Sequence, residues 1–194
     1  AGLAFGGNPG YITTSAEYNG SSWTAGNALP AGKGYHGASG IQTAGLGYSG
    51  YRGGAGALTT SEEYDGTNWT SGGTLGTARY VVHSTQGLQT ASFVAGGLVS
   101  PSTVRTQVEE YNGSAWSEVN DLPAGSFSQA GAGTLTSGLI AGGSSTSPSN
   151  VISTSLEYDG TNWSATPSLG TARRNMGGAG ASNSSAVVFG GLTP

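Results

Sequence analysis

Seven residues constrain this chain more than the rest of it: Glu17 to Trp23 reads EYNGSSW, and the stretch returns as EYDGTNW from Glu63, EYNGSAW from Glu110 and EYDGTNW from Glu157. The indoles Trp23, Trp69, Trp116 and Trp163 stand 46, 47 and 47 residues apart. Asn-Gly and Asp-Gly supply the left-handed backbone that a tight reversal needs. Asn19-Gly20, Asp65-Gly66, Asn112-Gly113 and Asp159-Gly160 therefore predict a type I′ turn between a strand ending in Glu-Tyr and a strand opening at Trp. A hairpin recurring at a period of about 40–50 residues is the mark of propeller blades. One indole per period is a large apolar surface in a small-residue chain, and it is expected to wedge between neighbouring sheets.

The remainder of each period supplies two more strands. Residues 1–7, AGLAFGG, form a short apolar strand closing on a Gly pair, with counterparts SFVAGG from Ser92, LIAGG from Leu139 and VVFGG from Val187. In GLGYSG from Gly45 the pair has become Ser49-Gly50. A loop of variable length follows, then a Thr/Ser/Val-rich strand (Ile12–Tyr18, Leu58–Tyr64, Val104–Tyr111, Val151–Tyr158) that runs into the turn. After each Trp comes LPAG or LGTAR and then a Gly/Ala-rich strand.

The expectation is an all-β, single-domain chain over residues 1–194, a β-propeller of four blades with four antiparallel strands and about 47 residues each. Units start near residues 1, 34, 80 and 127, and residues 174–191 complete the last blade. Four blades need 16 strands, yet the Gly-pair strand is present at both Leu3–Gly7 and Val187–Gly191, which makes 17. Closure within one chain is favoured, with the redundant copy left at the surface. Without closure the spare strand is an unpaired edge through which the chain can form a homo-oligomer. A start at Ala1 inside a repeat reads as a processed chain or a piece of a longer one.

The Gly pair ending the second strand, with the Tyr closing the third and the Trp opening the fourth, resembles the kelch repeat over essentially the whole chain. These units are shorter and richer in Gly, Ser and Thr than typical kelch repeats. Residues 62–79, EEYDGTNWTSGGTLGTAR, are similar to repeats of tail-fibre and other structural proteins of marine and cyanobacterial phages. That resemblance implies a non-enzymatic structural or binding module of a virion, in contact with other virion proteins or with a host-surface glycan or receptor. The kelch fold also serves a copper oxidase whose chemistry uses a Tyr linked to a Cys, and this chain has no Cys.

Leu, Ile, Val and Phe make up 31 of 194 residues, under the level of about 20% that warns of disorder. Disorder also needs high charge, and here the net charge is −4 with 8% charged residues. Volume comes instead from aromatics, 37 Gly and 49 Ser plus Thr, the composition of closely spaced sheets joined by many turns. One Lys, five Arg and a pI near 4.9 argue against nucleic acid, whose binding requires phosphate neutralisation. The absence of Cys excludes disulfides, thiolate nucleophiles and zinc ribbons. No apolar run approaches the roughly 18–20 residues of a helical span, so membrane insertion is not expected.

Among candidate sites, Glu17, Glu63, Glu110 and Glu157 read either as an acidic ring or as structural partners of backbone amides or of Arg79 and Arg173. The structural reading is favoured, since a residue that geometry demands once per unit repeats. His36 and His83, 47 residues apart, read as equivalent positions whose later counterparts are Ala130 and Gly177. Two ligands fall short of the three or four a stable site uses, so no metal or other cofactor is expected. Gly-rich runs such as residues 53–56 lie on hairpins, not ahead of helices, and are not phosphate loops. The loops Asn8–Tyr11, Tyr51–Ala57, Leu98–Thr103 and Ser144–Asn150 vary on one face while the turns hardly change, which places binding there. The candidates are Tyr11, Tyr51 and Arg52, with Leu98 and Val99 beside them. A glycan-active enzyme on a propeller scaffold is the alternative, disfavoured because near-identical units cannot supply different catalytic roles. A designed or reconstructed repeat protein is disfavoured because Tyr80-Val81-Val82, Phe127-Ser128-Gln129 and Asn175-Met176-Gly177 differ at matching positions.

Overall fold

The structure, a computed structural model, describes residues 1–82, 87–99, 102–146 and 150–194. The chain is all-β, and its only described helix is a single 3-10 turn at Asn183–Ser185. Among the described residues five antiparallel sheets follow one another along the sequence, with two further two-stranded ribbons, Tyr51–Arg52 with Gly56–Ala57 and Leu98–Val99 with Thr103–Val104, inserted within the second and third of them. The first holds Gly2–Phe5, Ser15–Tyr18 and Trp23–Gly26; the second holds Gly37–Ile41, Ala44–Tyr48, Ser61–Tyr64 and Trp69–Ser71. The third holds Ser92–Ala95, Val108–Tyr111 and Trp116–Val119; the fourth holds Ala130–Thr134, Ser137–Ala141, Ser155–Tyr158 and Trp163–Thr166. The fifth is the pair Gly177–Ala179 and Val187–Phe189. The Gly/Ala-rich strand expected in the third sheet falls on residues 83–86, outside the described residues.

Each Glu-Tyr strand is joined to its Trp strand by a four-residue loop, with Tyr18 opposite Trp23, Tyr64 opposite Trp69, Tyr111 opposite Trp116 and Tyr158 opposite Trp163. The turn is not type I′, which would need two left-handed residues. Only the Gly is left-handed, as at Gly66 with φ +94°. The Asp or Asn instead folds its side chain over the loop: the Asp65 carboxylate accepts from the amides of Thr67 at 2.8 Å and Asn68 at 2.7 Å, and Asp159 does the same with Thr161 and Asn162. These bonds hold both carboxyl groups below the usual range.

The Gly pairs have a steric cause. The amides of Gly7, Gly50, Gly97 and Gly143 donate to the carbonyls of Lys33, Arg79, Ser126 and Arg173 at 2.8–2.9 Å. The first Gly of the pair lies so close to the incoming chain that a Cβ on Gly96 would stand 2.2 Å from the Ser126 carbonyl oxygen, and one on Gly142 would stand 2.4 Å from that of Arg173. Ser49 replaces this Gly in the second sheet and still takes a left-handed φ of +56°.

Every junction between the first four sheets has its own small core. Leu29, Tyr64 and Trp69 close on Leu3 and Phe5 at the first junction; Leu46, Tyr48, Leu75, Val94, Tyr111 and Trp116 fill the second. Phe93, Val108, Leu122, Ile140, Leu156 and Tyr158 fill the third. At three of the four repeats the indole is the expected wedge: Trp69 meets Phe5 with centroids 4.6 Å apart, Trp116 meets Tyr48 at 5.3 Å and Trp163 meets Phe93 at 5.8 Å, whereas Trp23 is 56% exposed and lies against Tyr18 of its own sheet.

The repeated Glu and Tyr lock the same junctions. The Tyr64 hydroxyl donates to Glu17, Tyr111 to Glu63 at 2.5 Å and Tyr158 to Glu110 at 2.5 Å, each to the sheet before it. This replaces the expected pairing of these carboxylates with backbone amides or arginine. Burial, reinforced by the carboxylate, pushes the phenols of Tyr64 and Tyr111 up to about 12 and raises Tyr158 as well.

No strand joins the first sheet to the fifth among the described residues. Gly2–Phe5 pairs only with Ser15–Tyr18, and Val187–Phe189 only with Gly177–Ala179. Both copies of the Gly-pair strand are in place, and the outer edge of each end sheet is bare.

Candidate functional site

A backbone ladder links the successive units. Val81 N–H donates to the Tyr35 carbonyl, Ser128 N–H to Val81 and Asn175 N–H to Ser128, at 2.8–2.9 Å. All four residues are left-handed, with φ between +54° and +57°. This registration makes His36 the counterpart of Val82, Gln129 and Met176, one position away from the pairing of His36 with His83 expected from the sequence. His83 itself lies outside the described residues. His36, Val82, Gln129 and Met176 line one cavity of about 340 Å³. His36 stacks on Phe5 with centroids 5.0 Å apart. Burial, with some help from the Lys33 charge, depresses its pKa to about 4.

At the loop end of the first two junctions four tyrosines gather. Tyr51 opens the two-residue strand Tyr51–Arg52, which pairs with Gly56–Ala57. Its backbone also exchanges bonds of 2.8 and 3.0 Å with Gly34. Tyr80 exchanges bonds of 2.9 and 2.8 Å with Leu98 in the same way one unit later. These two bridges bring the Tyr51 and Tyr80 rings to 5.0 Å. Tyr11, left-handed at φ +51°, lies 5.8 Å from Tyr51, and Tyr35 lies 6.4 Å from Tyr80. Gly53 leaves room for the first ring, since a Cβ there would stand 3.2 Å from Tyr11. Tyr35 is 53% exposed and also borders the cavity, so the patch runs from the variable loops to the cavity mouth.

The sequence candidates divide accordingly. Tyr11 and Tyr51 are brought together. Arg52 is half-buried beside them. Leu98 is 6% exposed and serves as the backbone support of Tyr80, while half-buried Val99 pairs with Thr103. Tyr35 and Tyr80 were missed. A signal for them existed: of nine tyrosines, five stand outside the Glu-Tyr strands, all within the first 80 residues, and four of those five form the patch.

Chemically, the patch offers ring faces for stacking and phenol groups for hydrogen bonds. Burial, together with Tyr51 and Tyr35, raises the Tyr80 pKa. No group of three or more His, Cys, Asp or Glu gathers among the described residues. No protein-family model matches the chain, and no curated protein matches it either.

Proposed function

We propose that the sheets are the blades of a kelch-like β-propeller, each complete blade marked by one indole, and that the chain is a non-enzymatic binding and structural component of a phage particle. It meets a host-surface glycan, or a neighbouring virion protein, through the uneven loops on one face. The observation that carries the binding reading is the tyrosine patch: four rings with centroids 5.0–6.4 Å apart at the loop end of an otherwise repetitive frame. Aromatic faces stack on the C–H faces of sugars while phenols bond their hydroxyls, and non-repeated aromatics on a rigid scaffold are where recognition concentrates. Virion placement rests on the resemblance of residues 62–79 to phage structural repeats.

A glycan array probed with the intact chain tests the reading. Retention of a defined glycan class, weakened in Tyr51→Ala and Tyr80→Ala by about 0.5–1.5 kcal/mol per lost ring contact, is the expected result. Binding unaffected by both substitutions removes the patch from the proposal. Accumulation of reducing ends from a polysaccharide overturns it in favour of an enzyme.

A further inference from the structure

Two LGTAR segments occur, Leu75–Arg79 and Leu169–Arg173, and only the first has a guest. There the Glu109 carboxylate from the following sheet accepts from the amides of Gly76 at 2.6 Å and Thr77 at 3.2 Å and pairs with the Arg79 guanidinium at 2.6 Å. The pair is buried, and Arg79 also donates to the carbonyls of Gly96 and Gln107. Arg173 repeats the first of these, donating to the Gly190 carbonyl at 3.1 Å. No described residue places a carboxylate there, however, and a Cβ on Gly170 meets no described atom within 4 Å where one on Gly76 would meet Glu109.

Every other attachment of a following hairpin is vacant at this end. Leu29, Leu75 and Leu122 are buried, but Leu169 is only half-buried. Glu157 has no tyrosine donor among the described residues, whereas Glu17, Glu63 and Glu110 each have one. A cavity of about 290 Å³ opens beside Glu157, lined by Leu139, Ala141, Leu169 and Val188. That is where the counterpart of Trp163 would rest. A Cβ on Gly190 meets nothing within 4 Å, although its counterparts Gly6, Gly96 and Gly142 each abut a carbonyl.

We infer that the fifth sheet is completed by a β-hairpin of this same repeat class whose strand carries Glu-Glu-Tyr ahead of the turn and Trp after it. Its first Glu enters the Gly170, Thr171 and Arg173 cradle, its Tyr donates to Glu157, its Trp fills the cavity, and its strand pairs with Val187–Phe189. The residues that face each other across the junctions identify this guest. Lys33 meets Glu62 at 2.5 Å and Arg79 meets Glu109, while Ser126, which replaces the cation, lies in the unit before Leu156, which replaces the acid. Cation and acid change together. The hairpin at Ser15–Gly26 offers Ala16 in that position, so neither this chain's own first hairpin nor that of a second copy neutralises Arg173. The inference concerns the open end of the fold and does not depend on the ligand of the tyrosine patch.

The test extends the full chain. A copy of residues 98–126 replaces residues 192–194, entering in register because Leu98 follows Gly97 as Leu192 follows Gly191. Urea unfolding is compared for this chain, for Glu109→Ala in the appended copy, for Arg173→Leu in the host and for both changes together. Each single change is expected to raise the unfolding equilibrium constant of the last unit by roughly tenfold or more, and the double change no further than either single one. Arg173→Leu without the extension removes only the exposed bond to the Gly190 carbonyl and is expected to move the midpoint far less than it does in the extended chain. Equal stability of the Glu and Ala extensions, or additive losses, overturns the proposal. A second arm uses the natural absence of cysteine: Ser15→Cys with Phe189→Cys in the unextended chain. No disulfide is expected. An intramolecular bond would show that the chain's own hairpin occupies the site, a disulfide-linked dimer would show a second copy there, and either result overturns the assignment.

Discussion

The second and third junctions solve the same packing problem with opposite chemistry. Between the second and third sheets, Arg79 and Glu109 are both buried and held together at 2.6 Å. Between the third and fourth, the same positions are Ser126 and Leu156, and Leu156 joins the apolar core while Ser126 accepts from Gln129 at 2.7 Å. The frame around them hardly changes: Gly50 bonds the Arg79 carbonyl at 2.9 Å and Gly97 the Ser126 carbonyl at 2.8 Å. A buried ion pair is therefore not what holds the sheets together. Its desolvation cost roughly offsets its attraction, and the gain is selectivity for a matching neighbour.

That view makes its sharpest prediction where one partner is removed. Glu109→Leu leaves the Arg79 charge buried and uncompensated, and the expected loss is about 3–5 kcal/mol by urea unfolding. Adding Arg79→Ser converts the junction to the Ser126 and Leu156 type, and most of the loss is expected to return. If the double variant is as unstable as the single one, the two junctions are not interchangeable and the comparison breaks.

Smaller effects follow from features the junctions share. Tyr111→Phe removes a hydrogen bond to the Glu63 carboxylate and is expected to cost about 1.5–3 kcal/mol. Tyr18→Phe should cost nothing measurable, because the Tyr18 hydroxyl donates only to the exposed Gly20 carbonyl. The phenols of Tyr64 and Tyr111 are raised from 10 to about 12, so the unfolded chain releases these protons first. Stability is then intact below pH 10 and falls between pH 10 and 12, which a tyrosinate absorbance titration alongside unfolding reads directly. Gly138→Ala places a Cβ 2.7 Å from the Phe93 ring and is expected to cost about 1–3 kcal/mol through overpacking. Gly170→Ala, facing open space, is expected to cost far less, and equal losses would show that propensity and not packing governs these glycines.

The repeat was legible because its residues meet needs that recur in every unit: an indole for the wedge, a Gly where chains touch, an Asx side chain to close the loop. The function of the repeated Glu was not, since Glu17, Glu63 and Glu110 find their partners one full unit away, across a junction whose geometry the sequence does not carry. The same holds for LGTAR, whose carboxylate guest comes from Val108–Tyr111 in the following sheet. Turn type was misread for a local reason: Asn-Gly fits a two-residue reversal equally well, and the choice fell to the Tyr and Trp pairing that forces a four-residue loop. In the tyrosine patch, Tyr11 and Tyr51 were readable from loop variability. Tyr35 and Tyr80 were not, because they sit at ladder and bridge positions that look structural until the bridges Gly34 to Tyr51 and Tyr80 to Leu98 are known.

The smallest effect sharpens the contrast from the first junction, which alone carries a titratable ring in the ladder set. His36 is replaced by Val82, Gln129 and Met176 in the later units, so among the described residues only this junction has an imidazole at that position. Burial between Phe5 and the cavity wall is the main cause of its depressed pKa of about 4, and the Lys33 ammonium adds to it. Of the acids at that junction, Glu62 is paired with Lys33 and Glu17 accepts from Tyr64. Unfolded, the imidazole titrates near 6.5, so the unfolded chain binds the extra proton between that value and about 4. Stability is thus fully present above pH 6.5 and declines as the pH falls towards 4. His36→Gln is expected to flatten the acid limb of a stability profile measured by urea unfolding from pH 7 to 4. Parallel profiles for the two proteins would place the acid sensitivity elsewhere, with the Lys33 and Glu62 pair the next to substitute.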